Sequence, residues 1–283
     1  MLKRWLPFFA IGLLSAHILI LGTRSGSESL ETTTLSMVLS GVAIFAFTFA
    51  SAAHVLGLKA GSIFAVVGFV IGFGMEVIGT KTGFIFGQYV YLPEGGPFVL
   101  GPALFGVPLV IGLMWFALAY MGYVIANLMV WQKPVDENRN LLNMVWLSVL
   151  AGFIVTAYDL AADPYMINAA HAWRMEVGGS YFGETAQGFF GWVLTTFLIC
   201  MTFRFLVRKV EVEPVATVTR LSAMLPVLGY LTFLVFFVVE GDPSETKSIA
   251  FFAMGIPVIA AVAGFQRWAG DGGGATQSGT EGG

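Results

Sequence analysis

The 283-residue chain is 57% hydrophobic and only 11% charged, with a mean hydropathy of +0.82 and a net charge of −3. Since soluble proteins carry about a quarter charged residues, this composition excludes a soluble protein and predicts an all-α integral membrane protein. No basic stripe indicates a nucleic-acid partner. The single Cys200 excludes an internal disulfide and a cysteine metal cluster.

Runs of about twenty apolar residues, the length that crosses a bilayer, predict a multi-pass bundle of about eight transmembrane helices, with seven as the alternative count. In chain order the predicted spans are Trp5–Leu21, Leu35–Leu58, Ala60–Gly79, Val107–Val130, Leu142–Ala162, Phe189–Leu206, Leu221–Val239 and Ile249–Phe265. Residues 1–269 therefore form one polytopic membrane domain. The Gly-rich segment 270–283 is predicted to be a disordered tail.

The distribution of Lys and Arg predicts the orientation. With eight spans, ten of the 14 basic residues fall on the side of the termini and four on the opposite side. Both termini are therefore predicted to be cytoplasmic, with the protein in the cell (inner or plasma) membrane. The first span is interpreted as an uncleaved helix, because Gly22-Thr23-Arg24-Ser25 is a poor cleavage site.

The third span carries an acidic residue near its predicted end. Gly68 and Gly72 form a small-xxx-small pair that lets another helix approach closely, and Glu76 follows one turn later. A carboxylate among apolar membrane residues is costly and usually functional. The alternative is an interfacial side chain that reaches toward water.

The segment after the third span is rich in aromatic residues and glycine. Tyr89 and Tyr91 alternate as in an extended segment with one buried face. Their rings could belong to an interfacial aromatic belt or line a functional site. The Gly- and Pro-rich stretch 93–108 cannot be a spanning helix. At membrane depth such backbone has to be buried in protein or line a cavity.

Two more carboxylates fall near the predicted end of the fifth span. Asp159 and Asp163 are four residues apart and share a helix face, and Pro164 predicts a helix end near Asp163. Two carboxyl groups this close in a partly dry site should not both ionise. A protonated acid beside a carboxylate suits acid–base catalysis, although a turn before proline is an equal alternative for Asp163.

The sequence lacks the residue patterns that several cofactor-dependent enzyme classes require. Three histidines are too few for the clusters of membrane di-iron desaturases, and no Lys lies in the last two spans to form a retinal Schiff base. The sequence has no phosphate loop, dinucleotide fingerprint or Ser-His-Asp arrangement. We therefore expect no metal and no cofactor, and chemistry that needs only carboxylates.

Two blocks of spaced residues within 76–192 stand out. The first is Glu76…Gly79-x-x-Thr82-Gly83-x-x-Phe86-Gly87-x-Tyr89-x-Tyr91, then Gly106-Val107-Pro108 and Trp115. The second is Thr156-Ala157-Tyr158-Asp159-Leu160-x-x-Asp163-Pro164-x-Met166, then Trp173, Gly179-x-Tyr181-Phe182-Gly183 and Phe189-x-Gly191-Trp192. Together they resemble the carotenoid biosynthesis family of carotenoid 1′,2′-hydratases, which includes bisanhydrobacterioruberin hydratase. That family tends to have Asn-Phe before the last Gly-Trp, where this chain has Gly188-Phe189. If that Asn contacts substrate or water, either Gln187 has to substitute for it or the specificity of this chain differs.

The resemblance implies a cofactor-independent hydro-lyase that adds water across the terminal 1,2 (1′,2′) double bond of an acyclic carotenoid, giving a tertiary alcohol. Protonating this alkene gives a tertiary carbocation, so the reaction needs an acid, aromatic ring faces, water and a base. Glu76, Asp159 and Asp163 are the predicted catalytic residues, with acid and base unassigned. The predicted substrate-binding residues are Tyr89, Tyr91, Tyr158, Trp173, Tyr181 and Trp192.

The implied partners are the lipid bilayer and a lycopene-like or C50 bisanhydrobacterioruberin-like carotenoid, hydrated at one end or both. A carotenoid glycosyltransferase is a candidate for the next step. Asp159-x-x-x-Asp163 also resembles half of a magnesium–diphosphate site, so a Mg-dependent membrane prenyltransferase or lycopene elongase-like enzyme is one alternative.

A second alternative is a transporter built from repeats, because Gly83–Gly87 and Gly179–Gly183 share the form Gly-x-x-Phe-Gly. Substrate-dependent proton flux would favour the transporter, and a magnesium requirement would favour the prenyltransferase. A cyclase also begins with alkene protonation, but it leaves the mass of its substrate unchanged.

Overall fold

Eight apolar helices make up most of the structure. The computed structural model describes residues 2–22, 30–93, 98–135, 140–208 and 220–274. The helices are α1 Leu2–Gly22, α2 Leu30–Val55, α3 Leu58–Thr82, α4 Leu109–Trp131, α5 Leu141–Asn168, α6 Ala186–Val207, α7 Arg220–Glu240 and α8 Glu245–Gly274. Each is long and apolar enough to cross a membrane. This confirms the all-α multi-pass fold, with eight helices in the described part of the chain.

The last helix is longer than the sequence analysis predicted. α8 continues to Gly274, past Gly270, where the tail was expected to begin. The rest of the predicted tail, residues 275–283, lies outside the described residues. The disorder of this part of the tail therefore stays a prediction. The cytoplasmic location of both termini also stays a prediction.

α4 is the central helix of the bundle. It packs against α2, α3, α5, α6, α7 and α8, and every residue from Trp115 to Leu128 is buried. A helix enclosed on all sides can be apolar around its whole circumference. Gly68 and Gly72 let α3 approach it, because a Cβ at these positions would lie 2.7 Å from Phe116 Cα and 2.3 Å from Trp115 Cβ. The small-xxx-small pair therefore serves helix packing.

In the described residues, four short strands lie between the helices: β1 Tyr89–Tyr91, β2 Ala103–Leu104, β3 Val107–Pro108 and β4 Trp173–Met175. β2 and β3 form a hairpin, while β1 pairs antiparallel with β4 so that Tyr91 lies opposite Trp173. Tyr89 and Tyr91 are buried and Val90 is half-buried, which confirms the extended segment with one buried face. The β1–β4 pair joins the two sequence blocks, which lie far apart in the chain, at the end of the bundle where α3 and α5 finish.

Contrary to the sequence prediction, α5 does not end at Pro164. The helix continues to Asn168 and α3 continues to Thr82, so Glu76 and Asp163 lie more than one turn inside their helices. A proline has no N–H to donate to the carbonyl four residues earlier, here that of Leu160. The hydroxyl of Tyr181 donates to that carbonyl instead, at 2.8 Å. Because the freed carbonyl has a partner, the helix can continue past the proline.

The close packing of α3 on α4 gives a testable prediction. Gly72→Ala should lower the unfolding temperature of the purified protein in detergent, because the new methyl group would overlap Trp115 and overpacking costs about 1–3 kcal/mol. Gly74→Ala is the matched control, since no atom lies within 4 Å of a Cβ placed there. Equal unfolding temperatures for the two variants would contradict this packing.

Candidate functional site

The first half of the site is built around the buried carboxyl group of Glu76 on α3. Its Oε2 accepts hydrogen bonds from the hydroxyl groups of Tyr89 and Tyr91, the latter at 2.7 Å. Its Oε1 accepts a hydrogen bond from Nε1 of Trp115 at 2.9 Å. A carboxylate can accept all three bonds at once and needs no acceptor of its own. The carboxyl group of Glu76 is therefore surrounded by hydrogen-bond donors and acts as an acceptor.

Local backbone geometry positions these three donors. Alternation along β1 turns Tyr89 and Tyr91 to the same face. Gly72 lies one turn before Glu76 and leaves room for the indole of Trp115, whose Cγ would be 2.3 Å from a Cβ at that position. Burial, and then the charge of Glu76, raises the pKa of both tyrosines well above the usual value. Both phenols therefore keep their protons and act as donors.

The second half of the site is a series of three carboxyl groups. Asp163 on α5 interacts electrostatically with Asp159, one helical turn earlier, and with Glu184. Neighbouring carboxyl groups in a site with little water should not all ionise, because like charges repel. Asp159 is 0% exposed, and neither of its oxygens has a hydrogen-bond partner among the described residues. Asp159 is therefore expected to be uncharged beside Asp163.

Glu184 is a site residue that the sequence analysis missed. It is 2% exposed and directly follows the second of two glycine-aromatic loops, Gly179–Gly183; the first is Gly83–Gly87. Its Oε1 accepts hydrogen bonds from the backbone N–H of Thr185 at 2.8 Å and from the hydroxyl of Thr185 at 3.3 Å. Burial raises the pKa of Glu184 above its usual value even though these bonds oppose the shift. The only sequence signal was its place beside Gly183, and an acidic residue just before a helix is normally read as favouring the helix dipole.

The two halves of the site face an apolar cavity of about 120 Å³, several times the ~30 Å³ that a water molecule occupies in the liquid. Glu76, Asp163 and Glu184 line the cavity. Asp159 does not line it and lies one helical turn before Asp163 on α5. The remaining wall comes largely from apolar side chains on α1, α2, α4 and α7, among them Leu21, Met37, Val110, Met114, Leu118, Phe233 and Phe237.

Five of the six predicted substrate-binding aromatic residues line this cavity: Tyr89, Tyr91, Tyr158, Trp173 and Trp192. The rings of Trp115 and Trp192 are 4.4 Å apart between centroids and form one aromatic wall. Tyr181 lies outside the lining, and its hydroxyl is occupied by the Leu160 carbonyl. Burial and the nearby charge of Asp159 raise the pKa of Tyr181 to about 12. Its role in substrate binding stays a prediction.

The structure places Gln187, the residue that would have to substitute for the family's Asn, outside the cavity lining. The side chain of Gln187 is exposed, and its Nε2 donates to the carbonyls of Gly83 and Phe84 at 2.8 and 2.7 Å. It therefore fixes the first glycine-aromatic loop to α6. The space beside Gly188 is filled by Glu184, because a Cβ at 188 would lie 2.1 Å from Glu184 Oε1.

The charged side chains near the site were also considered as ligands for a metal or a diphosphate. In the described part of the chain, no three His, Cys, Asp or Glu side chains are grouped so that they could hold a metal ion. Arg174 is exposed on β4, and the Lys81 ammonium lies 5.5 Å from the centroid of the Phe105 ring. Neither basic side chain lines the cavity.

The fold and the site together define a multi-pass membrane protein with carboxyl groups buried around an apolar cavity. The family model described as carotenoid biosynthesis protein matches residues 32–261, which is more than half of the chain. The chain therefore belongs to the carotenoid biosynthesis protein family, and its role lies in carotenoid biosynthesis. No curated protein and no solved structure matches it.

The hydrogen bonds to Glu76 can be tested by a double-mutant cycle. Glu76→Gln should lower the unfolding temperature, because an amide has one acceptor oxygen and turns an NH₂ group toward a donor; each unpaired buried group costs about 1–3 kcal/mol. Trp115→Phe should destabilise the native protein but recover part of the loss in the Glu76→Gln background. Additive effects of the two substitutions on thermal unfolding would contradict the Glu76–Trp115 hydrogen bond.

Proposed function

We propose that the protein is a carotenoid hydratase, a hydro-lyase that adds water across the terminal 1,2 double bond of an acyclic carotenoid to give a tertiary hydroxyl group. One observation carries the proposal: a carboxyl group surrounded by hydrogen-bond donors and a carboxyl group beside other acids face the same apolar cavity. Glu76 accepts from three donors, whereas Asp163 interacts electrostatically with the carboxyl groups of Asp159 and Glu184. Membership of the carotenoid biosynthesis family supports the substrate class.

Asp163 is the proposed acid. Three neighbouring carboxyl groups in an apolar site should not all ionise, so Asp159, Asp163 and Glu184 together retain a proton, and Asp163 lines the cavity where an alkene would lie. Transfer of a proton from Asp163 to C2 of the alkene converts the double bond into a single bond and leaves a tertiary cation at C1. Asp159 is proposed to act through Asp163, because it neighbours that carboxyl group and does not line the cavity.

Aromatic rings are proposed to stabilise the cation. The Trp115 and Trp192 rings form one wall of the cavity and Tyr158 lies next to Trp192, with 6.2 Å between ring centroids. The negative face of an aromatic ring attracts a cation, and the attraction is larger where water is excluded. An apolar wall also limits water to the molecule that reacts.

Glu76 is the proposed base. As water bonds to C1 through its oxygen, one of its protons passes to Glu76, whose three donors would hold the carboxylate in place before transfer. One water is consumed: one hydrogen reaches C2 from Asp163, the hydroxyl reaches C1, and the remaining proton is on Glu76. Glu76 then releases its proton to solvent and Asp163 must regain one, which restores the enzyme without a redox partner.

The activity can be tested in a bacterium that accumulates lycopene, by mass analysis of its extracted pigments. The wild-type protein should give pigments heavier by one or two water molecules. Asp163→Asn should abolish the product because an amide cannot transfer the proton, and general acid catalysis typically contributes about 10²–10⁴-fold. Glu176→Gln is the matched control, since Glu176 is exposed at the end of β4 and lies outside the cavity lining.

Other outcomes of this experiment would contradict the hydratase and distinguish it from a cyclase or a prenyltransferase. Pigments of unchanged mass, with lycopene and with a C50 acyclic carotenoid, would overturn the hydratase; a cyclised product of the same mass would indicate a cyclase. Loss of the reaction on treatment with EDTA and its return with magnesium would favour the prenyltransferase. Full activity of Asp163→Asn would overturn the assignment of the acid.

A further inference from the structure

We propose that Glu184 is the proton-delivery residue of the site, which returns a proton to Asp163 after each turnover. The inference rests on the proposed hydration, in which Asp163 loses a proton to the substrate. Glu184 interacts electrostatically with Asp163, and both side chains line the cavity. It is also the member of the acidic series that lies outside the membrane-spanning helices, in the segment between β4 and α6.

The order of the three carboxyl groups gives the direction of proton supply. Asp159 lies one turn deeper in α5, is fully buried, and its oxygens have no hydrogen-bond partner among the described residues. The described residues therefore give no hydrogen-bonded route from the aqueous side to Asp163 through Asp159. Glu184 follows Gly183 and precedes the half-buried Thr185, next to the exposed residues Ala186 and Gln187. It is the carboxyl group placed between the loop surface and Asp163.

Support of the helix cap explains only part of the placement of this carboxyl group. Thr185 is the N-cap of α6, and its hydroxyl oxygen accepts from the N–H of Gly188 at 3.1 Å. Oε1 of Glu184 supports this cap by accepting from the N–H and the hydroxyl of Thr185. Burying a carboxyl group beside a second acid is costly, so its place in the cavity wall next to Asp163 indicates a use in addition to capping.

Gly188 provides the space that Glu184 occupies. A Cβ on Gly188 would lie 2.1 Å from Oε1 and 2.9 Å from Cδ of Glu184. Any side chain at this position would push the carboxyl group away from its place beside Asp163. The pair Glu184–Gly188 therefore forms one unit, in which the glycine keeps the acid in the cavity wall.

The experiment measures hydration kinetics in membranes containing equal amounts of folded protein. Glu184→Ala should lower kcat about 10²-fold with KM nearly unchanged, because reprotonation becomes slow while binding is retained. Formate, a small acid that can enter the vacated space, should restore part of kcat in Glu184→Ala. It should not do so in Asp163→Asn, where the group that touches the substrate is lost. Glu176→Ala, at an exposed position on the same side of the bundle, should behave as wild type.

A second pair of variants tests the role of Gly188. Gly188→Ala should lower kcat in the native protein and cause no further loss in the Glu184→Ala background, since the group that it displaces is then absent. An unchanged kcat in Glu184→Ala, or a loss that formate does not restore, would overturn the assignment. If the wild-type protein does not hydrate acyclic carotenoids, the proposed function itself fails, so the two failures are distinguishable.

Discussion

The constraint on which the site depends is that a carboxyl group buried among apolar helices must be satisfied by hydrogen bonds. Glu76 meets it with Tyr89, Tyr91 and Trp115 as donors. The donors come from two elements, β1 and the central helix α4, and the close approach of α3 at Gly72 places the indole within reach. The β1–β4 pair and the α3–α4 packing therefore both place hydrogen-bond donors around the Glu76 carboxyl group.

A second set of carboxyl groups lies at the same cavity, and each of its members neighbours another acid. Asp163 and its two acidic neighbours should not all carry a charge so close together in an apolar site, so the three groups together retain a proton. Glu76, by contrast, is supplied with donors and needs no proton of its own. An apolar pocket with an acceptor on one side and a proton source on the other suits the addition of water to an alkene, which requires one proton to be given and one to be taken.

The sequence predicted most of the fold, because bilayer thickness sets helix length and apolar runs mark the spans directly. It also selected Glu76 and Asp163, since acidic residues in apolar helices are conspicuous. It could not predict that β1 pairs with β4, because strand pairing between distant segments depends on the tertiary fold. The helix end expected at Pro164 was wrong because Tyr181 supplies the missing donor. Glu184 was missed because only packing against Asp163 and Gly188 distinguishes it from an ordinary residue before a helix.

The most direct test of the account is to follow the atoms of water into the product. Purified protein in lipid vesicles would be given an acyclic carotenoid in heavy water and, separately, in water enriched in heavy oxygen. The account predicts one deuterium bonded to carbon C2 and heavy oxygen in the tertiary hydroxyl group of each hydrated end. A hydroxyl oxygen that derives from molecular oxygen, or a product without deuterium on carbon, would contradict protonation of the alkene followed by capture of water.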